Sequence, residues 1–182
     1  MNQLQHIRFL ATLGVLASTP ILSLASQSFI SGADSILLER TAGFGFGPQY
    51  QVRIAKSGEI VYRPGGRVQQ PSGEVVFQLG DTVQTRQVRG TGFLDLVANA
   101  EFLGFWDLPE VIAKDRRFGT HCVTDAPTAI VTIFLPNRSK RVVDYQGCQW
   151  APAGLRDLEC LIDSVAGTTT SLCPDYVHRP PA

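Results

Sequence analysis

"TAIVTIFLPNRSKRVVDY", residues 128–145, is the stretch whose reading decides the fold. Its first eight residues are apolar on both faces, as a strand inside a sheet should be. The chain then turns near Asn137 and Arg138 and returns through "RVVDY". Two strands joined this tightly run antiparallel. The sheet they belong to is therefore built from hairpins.

Upstream, "QYQVRI", "AKSG" and "EIVYR" (residues 49–63) repeat the pattern. Tyr50, Val52 and Ile54 alternate onto one face, and Gly58 serves the turn. "SILLER" (35–40) is a strand candidate. Residues 64–81, rich in Gly, Pro and Gln, read as a loop with a strand candidate at "EVVFQL", and "TRQVRG" is another strand candidate. Helical spacing appears twice. Phe93, Leu96, Val97, Ala100 and Leu103 form one apolar stripe, with Thr91 as N-cap and Gly104 as stop. A last helix is expected to begin near Pro152, to carry Leu155, Leu158, Ile162 and Val165 inward, and to stop at Gly167. The fold class expected is α+β: an antiparallel sheet built from hairpins, with two helices packed on one face. The order hairpin–helix, hairpin–helix suggests two related halves.

The first 25 residues read as a cleaved signal peptide. A short n-region carries Arg8, "FLATLGVLASTPILSLA" is uncharged, and Ser23 and Ala25 stand at the small-residue cleavage positions. Residues 26–34 then form a flexible mature N-terminus, 35–166 a single domain and 167–182 a C-terminal tail. The reading is of an exported protein, periplasmic or secreted, with no stable membrane span after cleavage. The 182 residues hold 16 basic and 16 acidic side chains, without a basic cluster, so the footprint of a nucleic-acid binder is missing.

Export gives meaning to the four cysteines, Cys122, Cys148, Cys160 and Cys173. An even count in an oxidising compartment points to disulfides, and three connectivities are possible. Hairpin geometry leans towards Cys122–Cys148, which lie at nearly equal distances from the turn. Cys160 on the last helix would then staple Cys173 and the tail. Close C-x-x-C pairs are missing, and His121 and His178 are the only histidines after the leader; no metal site or cofactor is expected.

"RTAGFGFGPQY" (40–50) raises the question of a phosphate cradle. The spacing is not G-x-G-x-x-G, and a hairpin rather than a helix follows. The expectation is a bend: glycines take backbone angles closed to other residues, Phe44 and Phe46 plug the core, and Pro48 directs the chain into the strand.

The same stretch resembles the signature of a bacterial family, domain of unknown function 6438, whose members carry R-T-x-C-F-G-x-C-P-x-Y. Arg40, Thr41, Phe44, Gly45, Pro48 and Tyr50 match. The resemblance continues through Gly58, Ile60 and Tyr62, "FLGFWDL", "VTDAPT" (123–128) and "VVDY" (142–145), covering about residues 35–166. Both signature cysteines are replaced here, by Gly43 and Gly47. If that pair makes a disulfide or holds a metal, this chain does neither there. The resemblance implies no activity, cofactor or catalytic residue.

Two functional readings stand beside a third, a purely structural envelope protein with neither a tight partner nor turnover. One is a non-enzymatic interaction module of the bacterial envelope, binding a protein or another envelope component, with Trp150 as a candidate contact residue. The other is a small secreted hydrolase assembled around His121, Asp125 and Tyr145. Asp107, Asp115, Asp144 and Asp163 show no diagnostic pairing, and neither a G-x-S-x-G elbow nor an H-E-x-x-H helix is present.

Overall fold

The computed structural model describes residues 32–44, 47–88, 91–118, 121–149, 151–152, 154–168 and 173. The segment read as a signal peptide lies outside them, as do Phe46, Trp150 and His178. The strands are β1 Ser35–Thr41, β2 Tyr50–Ala55, β3 Glu59–Gln69, β4 Val75–Leu79, β5 Gln84–Gln87, β6 Thr128–Leu135 and β7 Arg138–Tyr145. The helices are α1 Gly92–Leu103 and α2 Leu155–Ala166. All pairings between named strands are antiparallel, in the order β4-β3-β2-β1-β6-β7, and β5 also pairs β3. The α+β class is the observed one, and α1 and α2 pack on each other.

Register explains the core. Residues directly opposite across antiparallel strands share a face. Ile60, Ile54, Ile36 and Ile133 form one cross-strand row, and Tyr62, Val52, Leu38, Val131 and Val142 form the next. Both rows meet Leu96, Ala100, Leu155, Leu158 and Ile162 from the helices in a single cluster. A third row reads Pro64, Tyr50, Arg40, Ala129, Asp144. Two of its members carry charge, yet it faces the same way.

Hairpin β6–β7 turns through two residues, with Leu135 opposite Arg138. The β7 edge is covered where Val111 forms a parallel bridge to Val143, whose N–H donates to Glu110 O at 2.8 Å. The other side of the sheet ends in β4, which pairs only the outer half of β3.

Thr91 is the N-cap of α1, but its hydroxyl donates to the Asp95 carboxylate (2.9 Å) rather than to the backbone. Gly104 at φ 69° and Gly167 at φ 69° end the two helices in the left-handed region. The start of α2 differs from the sequence expectation. It begins at Leu155, not near Pro152, because Gly154 at φ 84° reverses the backbone between them. Both disulfides of the geometric reading are present, Cys122–Cys148 and Cys160–Cys173.

Candidate functional site

Among the described residues of the bend at 42–48, one departs from its expected place. Phe44 does not plug the core; it is 78% exposed. The buried group is Gly43, whose missing side chain admits another loop. A Cβ there would stand 2.0 Å from the carbonyl oxygen of Asp125, and the Phe44 N–H donates to that same oxygen at 2.9 Å. Backbone therefore fills the space a side chain would need, and Phe44 is turned outward beside it. Gly47, at φ 116°, meets the expectation of a backbone angle that favours glycine.

The third cross-strand row is a buried polar cluster beneath α2. Arg40 is 1% exposed and donates from Nε (2.9 Å) and Nη2 (2.7 Å) to Oδ2 of Asp163. Asp163 Oδ1 accepts from the Tyr50 hydroxyl and from the Thr168 hydroxyl at 2.8 Å. One turn earlier on α2, Glu159 Oε2 lies 3.5 Å from Arg40 Nη1 and accepts from Gln146 Nε2 at 3.1 Å. At the far end of the row, Asp144 accepts from Arg156 Nε at 3.1 Å, and Arg156 Nη2 donates to Cys148 O. The helix thus crosses the strands with its polar residues in register with the row. Buried charges are tolerated when paired and hydrogen-bonded in this way.

The pairing is incomplete. Glu159 Oε1, Asp144 Oδ1 and Arg40 Nη1 are buried without a hydrogen bond among the described residues. Burial, reinforced by the Asp144 charge, pushes the Glu159 carboxyl up to about 8. The Tyr50 phenol is raised by burial and by the Asp163 charge. Burial works against the Arg40 cation, but Asp163 and Glu159 outweigh it and raise its pKa. The Cys160–Cys173 disulfide lies against this cluster, with Cys173 Sγ 3.8 Å from Arg40 Nη2. With Arg40, Tyr50, Asp144, Glu159 and Asp163 all buried, the chemistry of this cluster is internal: it orients α2 on the sheet.

A family model matches residues 34–166, which include β1 through α2 and every strand of the polar row. The chain belongs to the family described as Domain of unknown function (DUF6438). No curated protein matches it. In this DUF6438 chain, Arg40 and Tyr50, two of the residues that carry the resemblance, face each other across β1 and β2 and converge on Asp163.

Residues 121–126 and Tyr145 form a second, more exposed assembly of the DUF6438 domain. His121 (φ 59°) and Asp125 (φ 65°) both take left-handed backbone angles and are exposed. They flank a segment held by the Cys122–Cys148 disulfide. Tyr145 is taken up by that segment's backbone: its hydroxyl donates to Val123 O (2.9 Å) and accepts from the Ala126 N–H (3.0 Å). Asp107 is exposed, and Asp115 pairs with Arg117 at 2.7 Å. Among the described residues no group of three or more His, Cys, Asp or Glu is placed to hold a metal ion. No described helix is long and apolar enough to cross a membrane.

The surface carries a feature the sequence reading missed. On α1, Phe93, Leu96, Val97 and Ala100 point inward, but Leu94 is 63% exposed and Phe102 is 96% exposed. With exposed Ala98 they stand at i, i+4 and i+8, one outward stripe. The spacing Leu94–Ala98–Phe102 was available as a signal. The stronger inward stripe on the same helix masked it.

Proposed function

We propose that the chain is an exported interaction module of the bacterial envelope that binds a protein partner through the outward face of α1. The observation that carries this reading is the 96% exposure of Phe102, aligned with Leu94 on a two-turn apolar stripe. Leaving a side chain of that size in water forgoes about 1.5–3 kcal/mol of burial. Aromatic side chains of this kind serve as anchors at protein interfaces. Two disulfides suit an oxidising compartment, as does the signal-peptide pattern of residues 1–25. The strongly perturbed groups of the polar cluster are buried, which supports a role in orienting α2 over one in turnover.

The test is crosslinking and mass spectrometry of the exported protein, tagged at its C-terminus and expressed at native level. The wild type and His121→Ala are expected to capture the same partner, and Phe102→Ser to lose it. No partner above background overturns the reading, as does a partner retained by Phe102→Ser. A partner or turnover lost on His121→Ala instead would move the function to the 121–126 segment.

A further inference from the structure

The partner's chemistry follows from the charge around the α1 stripe, given the proposed role of that face. Residues 91–113 carry Asp95, Glu101, Asp107 and Glu110 and no Lys or Arg. Glu101, Asp107 and Glu110 are exposed, and Glu101 directly precedes Phe102. Asp95 follows Leu94 in the first turn. Beyond the helix end, the guanidinium of Arg138 stacks on Trp106 at 4.5 Å. At helical spacing Asp95 and Glu101 fall on either side of the Leu94–Ala98–Phe102 line, which gives the stripe an acidic border.

We infer that the outward face of α1 docks an amphipathic helix of a partner protein whose apolar anchors are bordered by Lys or Arg. From Leu94 to Phe102 the stripe runs eight residues, about 12 Å at helical rise, which accommodates two or three anchors at i, i+3/i+4 and i+7. Opposite charges at the border give such a partner attraction and register. The same border weighs against two other occupants. A second copy of the chain, joined symmetrically through this face, would bring the acidic borders together. An anionic lipid surface would be repelled by them.

The probe is a 14-residue Leu/Lys peptide with one apolar face, against an isotopically labelled mature chain with its disulfides intact. A Leu/Glu peptide with the same apolar face and a scrambled Leu/Lys peptide without one serve as comparisons. Amide shifts are expected to centre on Leu94, Ala98 and Phe102. Affinity should fall at least tenfold in Phe102→Ser, for either comparison peptide, and between about 50 and 500 mM salt. Phe102 is almost wholly exposed, so its replacement leaves the fold in place. Failure of the Leu/Lys peptide to bind, equal binding of the two charge types, or shifts centred away from α1 would overturn the inference. So would Phe102-dependent binding to vesicles containing anionic phospholipid, or a Phe102-dependent dimer in sedimentation. If any of these occurs while the partner crosslinked in cells still depends on Phe102, the interaction-module reading stands and only the basic-helix partner is rejected.

Discussion

Arg40 on β1 and Asp163 on α2, 123 residues apart in the chain, meet through two donors on a single carboxylate oxygen. With Tyr50 and Thr168 on the other oxygen, this contact sets where α2 lies on the sheet. Asp163→Ala leaves the buried Arg40 cation without its hydrogen-bonded carboxylate and with only Glu159, 3.5 Å from Nη1, near it, which should cost about 3 kcal/mol of stability. The paired replacement Arg40→Met with Asp163→Leu removes both charges and should lose clearly less than the two single changes added together. Urea denaturation with the disulfides intact gives all four corners of the cycle. A double loss equal to the sum would show that the two residues act independently.

Glu159 makes stability depend on pH in an unusual direction. Its carboxyl, ordinarily near 4.5, is raised to about 8 by burial and by Asp144, against the opposing influence of Arg40, Gln146 and Arg156. Between those values the folded protein holds a proton that the unfolded chain has released, so stability falls as pH rises. Below the lower value both states are protonated, and above the higher value both are ionised, so the dependence flattens at each end. The slope within the window should be on the order of 1 kcal/mol per pH unit. Glu159→Gln is expected to remove this slope and to be relatively more stable at pH 8 than at pH 5. Thermal melts of both proteins across pH 4–9 check it; parallel curves would reject the assignment.

Much of this architecture was legible because periodicity is local. The hairpins showed in the alternation of Tyr50, Val52 and Ile54 and in the double-faced strand 128–135. The near-symmetry of Cys122 and Cys148 about one turn favoured one of three disulfide connectivities without choosing it, and that is the pairing present. The polar cluster was harder, since a charge in a strand ordinarily suggests solvent. Its signal was nonetheless present. Arg40 has the same parity as Ile36 and Leu38, and Glu159 and Asp163 fall within the Leu155–Leu158–Ile162–Ala166 stripe. The outward orientation of Phe44 was not legible. It depends on the approach of the Asp125 carbonyl, from a segment some eighty residues later in the chain.

Gly43 and Gly66 separate the two reasons for a glycine. A Cβ at Gly43 meets backbone at 2.0 Å, whereas one at Gly66 in β3 finds nothing within 4 Å. A carbonyl held by its own loop cannot swing aside as a flexible side chain can. Gly43→Ala should therefore cost about 2–3 kcal/mol through overpacking and loss of the Phe44 N–H contact. Gly66→Ala should be neutral or stabilise by up to about 1 kcal/mol, since Ala is less disordered when unfolded. Equal denaturation midpoints for the two variants would contradict the close approach.

The Cys160–Cys173 disulfide closes a shorter loop than Cys122–Cys148, with separations of 13 and 26 residues. Loop-closure entropy alone assigns each about 3 kcal/mol, the longer one greater by about 0.6 kcal/mol. The shorter one has an added role, because Cys173 Sγ lies against Arg40 Nη2 and 3.9 Å from Asp163 Oδ2. Replacing both cysteines by Ser opens that side of the buried ion pair to water, where a charge pair is worth far less. Cys160→Ser with Cys173→Ser should therefore weaken the Arg40–Asp163 coupling in the double-mutant cycle, besides lowering stability. Cys122–Cys148 closes the open end of the β6–β7 hairpin rather than anchoring α2, so Cys122→Ser with Cys148→Ser should lower stability and leave that coupling unchanged. The two cycles, repeated in each disulfide-free background, decide it: equal coupling in both would show that the tail staple constrains the chain without sheltering the pair.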